Sequence, residues 1–145
     1  MYKRKVVIEQ EPPISPIGVA PTLRSHRVGL GLYDLTDAGL IRREFIAVDV
    51  TGAHTEIAEL VGKQQPDLLL VNDGDLTFAK VRLDEKSWKT ATAQLGAISD
   101  SLARAVIWSA AWDMTRDAEA STGEFLDLVL AGIDRETDVG VTSGV

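Results

Sequence analysis

Apolar positions change rhythm along this chain near Asp84. Before it they alternate or come in short runs, the pattern of strands; after it they recur at helical spacing. Lys3 to Glu11 reads as a first strand centred on Val6, Val7 and Ile8. Glu11-Pro-Pro-Ile-Ser-Pro-Ile-Gly18 then breaks regular structure, because its prolines fix backbone angles and remove donors. Arg24 to Leu35 resumes as a strand, with Val28, Leu30 and Leu32 on one face and Arg27, Gly29, Gly31 and Tyr33 on the other. Thr36-Asp-Ala-Gly39 is a turn in which Gly39 can supply a positive φ. Ile41 to Val50 completes a hairpin, and after the Thr51-Gly52 turn His54 to Val61 reads as a further strand. The continuous apolar run Leu68 to Val71 fits a strand buried on both faces. Asn72-Asp-Gly-Asp75 turns the chain, and Thr77 to Leu83 closes the set.

The second part has clear helix punctuation. The Asp84 carboxylate can accept the free N–H groups of a helix running to about Ala97. Ser99 or Asp100 caps the next helix, and Asp100 stands at i,i+4 from Arg104 in the order that suits the helix dipole. Ser121-Thr-Gly-Glu124 is a capping box. From Leu102 to Met114 apolar residues cover nearly the whole circumference, which describes a buried helix. Gly140 to Val145 carries no structure signal. The fold class predicted is β then α: a small antiparallel β-sandwich over residues 1–84, followed over 85–145 by the first helices of a truncated helical array. The apolar helix, together with Phe125, Leu128, Val129 and Ile133, exceeds what three helices can bury. Self-association, or folding of the helices back onto the sandwich, is expected to cover it.

Composition narrows the function classes. A chain of 145 residues with 45% hydrophobic and 26% charged residues is globular and can bury a core. Its net charge of −7 and pI near 4.8 argue against nucleic acid and anionic membrane surfaces as partners. No window approaches the roughly 18 apolar residues of a membrane span, and the N-terminus lacks a signal-peptide core. A cytoplasmic location is the default expectation. The absence of cysteine excludes disulfides, thiolate metal sites and cysteine nucleophiles.

Candidate chemistry is sparse. His26 and His54 are the only histidines, and His54-Thr-Glu56 lacks the adjacent glutamate and second histidine of a zinc helix. Gly29-Leu-Gly31 lacks the third glycine and following helix of a dinucleotide loop, and instead lets a strand bend or admit a neighbour. A calcium loop starting at Asp73 would need glycine where Phe78 stands, so Asn72, Asp73 and Asp75 read as a turn. Ser101, Ser109 and Ser121 have no histidine partner in sequence context. Asp113, Arg116, Asp117 and Glu119 read as a polar cluster, either an exposed helix tip or an inter-helix ion pair. Trp88, Trp108 and Trp112 sit at packing positions. No catalytic, cofactor-binding or metal residue is predicted.

Leu76-Thr-Phe-Ala-Lys-Val-Arg-Leu-Asp84, followed by Leu102-Ala-Arg-Ala-Val-Ile-Trp-Ser-Ala-Ala-Trp-Asp-Met-Thr-Arg-Asp-Ala-Glu119, resembles the region C-terminal to the catalytic domain in the aminopeptidase N family. Pro21 to Asp34 and Val61 to Asp75 are similar to the same family, gluzincin zinc metallopeptidases, and closest to its actinobacterial form. The resemblance implies a parent with an N-terminal β domain, a thermolysin-like catalytic domain, a small β-sandwich and a large helical domain. This chain would supply the sandwich and the first helices that help enclose the active site. The Gly-Ala-Met-Glu-Asn-type motif, the His-Glu-x-x-His helix with its downstream glutamate, and the oxyanion tyrosine have no counterparts here, so no catalytic residue carries over. Zinc and peptide substrates would belong to the parent, and the partners of this region would be the parent's remaining domains. The rival reading is a free-standing β-sandwich module that binds a protein and has no enzymatic role.

Overall fold

The computed structural model describes residues 5–13, 18 and 20–144. Its strands are β1 (Val7–Glu9), β2 (His26–Thr36), β3 (Gly39–Val50), β4 (His54–Glu56) and β5 (Leu68–Val71); its helices are α1 (Glu85–Gln94), α2 (Ser101–Arg116), α3 (Thr122–Gly132) and α4 (Val139–Gly144). The switch of period at Asp84 is thus a switch from strands to helices. Before it, a single 3₁₀ turn at Ala58–Leu60 is the one helical element among the described residues.

All strand pairing is antiparallel. β1 pairs with β4 in a two-stranded ribbon, and β2 lies between β3 and β5 in a three-stranded sheet. Alternation along β2 then sorts its side chains into two layers. Val28, Leu30 and Leu32 join Val48, Val50, Ile57, Leu60 and Leu69 in one core, which Val6 and Ile8 of the ribbon side cover. Tyr33 enters the other core with Leu40, Leu68 and Leu70, packed against Ala91, Leu95, Ile98 and Ile107 from the helical part. The helices therefore fold back on the sheet, as one of the two expected ways of covering them. Gly39 closes the β2–β3 hairpin at φ +114°, and a Cβ there would run into the Ala97 carbonyl.

Several elements differ from the sequence reading. The first strand is only Val7–Glu9; Lys3, Ile14, Ser15, Pro16, Ile17 and Val145 lie outside the described residues. β4 stops at Glu56 because Ile57 and Leu60, three apart, both enter the core, which suits a helical turn better than a strand. Thr77–Leu83 forms no ladder. Residues 139–144 form α4, whose first turn is held by Asp138 accepting the N–H groups of Gly140 and Val141. α2 is not buried all round: Leu102 and Trp112 remain about half exposed, at 45% and 52%. Leu126, Leu130 and Val139 are also exposed.

The caps follow the sequence. Asp100 accepts from Leu102 and Ala103, and Ser121 and Glu124 complete the capping box. The Asp84 carboxylate accepts the Ser87 N–H at 3.1 Å and the Ser87 hydroxyl at 2.5 Å. The buried Ser87 Oγ in turn accepts the Leu69 N–H of β5 at 2.9 Å, so the cap also fastens α1 to the sheet. Asp84→Ala is expected to cost about 1–2 kcal/mol, the range for a lost N-cap. Asp84→Asn, which keeps the acceptor, should cost less. Denaturant midpoints of the two variants check this.

Candidate functional site

The strongest polar constellation lies where the sheet meets the helices. The loop after β5 crosses β2 closely: a Cβ on Gly29 would strike the Asp73 carbonyl, and one on Gly31 would strike the Asp73 carboxylate. The two glycines thus admit a neighbour, and that neighbour is Asp73. Its carboxylate is fully buried. Oδ2 accepts from the Tyr33 hydroxyl at 3.0 Å and from Arg42 Nη1 at 3.1 Å, while Oδ1 has no partner among the described residues. The same Arg42 nitrogen lies 3.6 Å from the Asp100 carboxylate at the start of α2, and the guanidinium stands over the Phe45 ring. Arg42 therefore links β3, the β5 loop and the α2 cap. Beside it opens a shallow cleft of about 210 Å3, lined by Tyr33, Leu40, Ile41, Arg42, Ile98, Ser99 and Asp100.

Electrostatics make this a clasp. Burial pushes the Tyr33 phenol well above its ordinary range, and the neighbouring Asp73 charge and hydrogen bond push it further. The hydrogen bond to Asp73 raises Arg42 in turn. Tyr33 stays protonated and Arg42 charged at any physiological pH. Tyr33 and Arg42 thus hold a geometry and offer neither a base nor a nucleophile.

A second buried network lies among the helices. Arg104 and Glu136, with side chains 5% and 0% exposed, meet through two hydrogen bonds of 3.1 and 3.0 Å. Trp108 Nε1 donates to the same carboxylate at 2.8 Å, and the N–H groups of Thr137 and Asp138 complete it. Arg104 also donates to the Ile98 and Ser99 carbonyls. The expected Asp100–Arg104 pair is therefore absent among the described contacts: Asp100 is turned to its own helix's N–H groups and Arg104 inward. Alongside, Ala105, Trp108, Ser109, Trp112, Phe125, Asp138, Gly140 and Val141 line a mainly apolar groove of about 410 Å3.

The remaining candidates are scattered. His26 Nδ1 shares a hydrogen bond with the Thr77 hydroxyl at 2.6 Å, and His54 lies exposed 4.0 Å from Glu9. Asn72 ties its own turn by bonds to Asp75 and to both backbone groups of Thr77. Ser121 is a helix cap, and Ser101 and Ser109 lie on α2 without a histidine bonded to them. Asp113 pairs with Arg116, while Asp117 and Glu119 take Arg82, and Asp117 also takes Lys80. Among the described residues no group of three or more histidine or carboxylate side chains could hold a metal ion. The donors present do not fit the zinc that the resemblance places in the parent. No helix of the described residues is long and apolar enough to cross a membrane. Sequence reading missed Arg42–Asp73 and Arg104–Glu136, whose partners are 31 and 32 residues apart and leave no local signal.

Comparison with known proteins adds identity to this geometry. A family model described as the ERAP1-like C-terminal domain matches residues 68–145. An aminopeptidase N of Streptomyces lividans is 50% identical over 141 residues, covering 95% of this chain and 16% of that protein. The chain thus spans about one sixth of the length of the curated relative it matches.

Proposed function

Because the chain belongs to the ERAP1-like C-terminal domain family, we propose that it is a non-catalytic region of a zinc-dependent aminopeptidase that releases N-terminal residues from peptides. The observation that carries this reading is the 50% identity across nearly the whole chain to an aminopeptidase N. The metal and the groups that act on peptide then belong to other parts of the polypeptide. Residues 1–84 act as a spacer module and residues 85–145 as the start of a helical wall around the active site.

The two clasps suit that role. Arg42 joins the sheet to the α2 cap at the surface, and the buried Arg104–Glu136 pair fixes α2 to the segment before α4. A spacer must hold a wall at a set angle, and a fully paired buried network helps to specify one geometry. The exposed Trp112, Leu126, Leu130 and Val139 then face the parent's remaining domains. The gene tests this reading. An open frame that continues for several hundred residues upstream and encodes a His-Glu-x-x-His motif supports it. A native start and stop at these ends overturns it in favour of a free-standing interaction module.

A further inference from the structure

We draw no further inference here: the strongest candidate, the mainly apolar groove between α2, α3 and α4 lined by Trp108, Trp112, Phe125 and Val141, is an open helix face, and nothing in the structure shows what covers it.

Discussion

Glu136→Ala is expected to destabilise the protein by about 3–5 kcal/mol, the range for breaking a buried ion pair from one side. That is a large fraction of the stability of an ordinary domain, about 5–15 kcal/mol. The cost arises because Arg104 keeps its charge in a site where its side chain is 5% exposed. Trp108 Nε1 and the N–H groups of Thr137 and Asp138 also lose their acceptor. Replacing both partners, as in Arg104→Met with Glu136→Leu, should restore much of the loss, since no uncompensated charge then remains. Urea midpoints of the single and double variants decide it.

The same pair sets an acid limb. Burial alone would raise the Glu136 carboxyl, but the hydrogen bonds from Arg104, Asp138, Trp108 and Thr137 outweigh it and hold the pKa at about 2, below the usual 4.5. A group depressed on folding stabilises fully above its unfolded pKa, and that contribution fades as pH falls through the folded value. The wild-type chain should therefore lose stability between about pH 4.5 and pH 2. Glu136→Gln should start lower at pH 7 and show a flatter fall across that window.

Gly31→Ala is the second large effect expected, at about 3 kcal/mol, the upper end for overpacking a core. The added methyl would collide with the Asp73 carboxylate, 2.6 Å from the Tyr33 ring and 2.8 Å from Asp73 Cγ. β2 is the central strand and cannot retreat without disturbing both neighbours. Asp73 cannot retreat without releasing Tyr33 and Arg42. The clash makes the two positions interdependent. In an Asp73→Ala background the same substitution should cost at least about 1 kcal/mol less, a coupling that a double-mutant cycle measures. Equal cost in both backgrounds would show that the loop does not lie against β2 as described.

What the sequence displayed was local chemistry. The Asp84 and Asp100 caps, the Ser121–Glu124 box and the Gly39 turn each bond within a few residues, so the residue types announce them. The two faces of β2 were also legible, because Leu30 and Leu32 against Gly31 and Tyr33 reports burial directly. The clasps were hidden. Arg42 and Arg104 look like ordinary surface cations until the fold brings Asp73 and Glu136 to them. The i,i+4 rule pointed Arg104 at Asp100, but a carboxylate acting as an N-cap had better donors in its own backbone. Thr77–Leu83 shows the limit from the other side: alternation specifies side-chain direction, whereas a strand also needs a partner backbone.

The central claim is that this chain is a non-catalytic region of a larger aminopeptidase. Its most direct test is turnover of an aminoacyl-anilide by this chain and by the complete polypeptide, with and without added zinc, together with the bound metal in each. The account predicts activity and bound zinc in the complete polypeptide, and neither in this chain. Stoichiometric zinc in this chain, or turnover by it that His26→Ala or His54→Ala abolishes, would contradict the account.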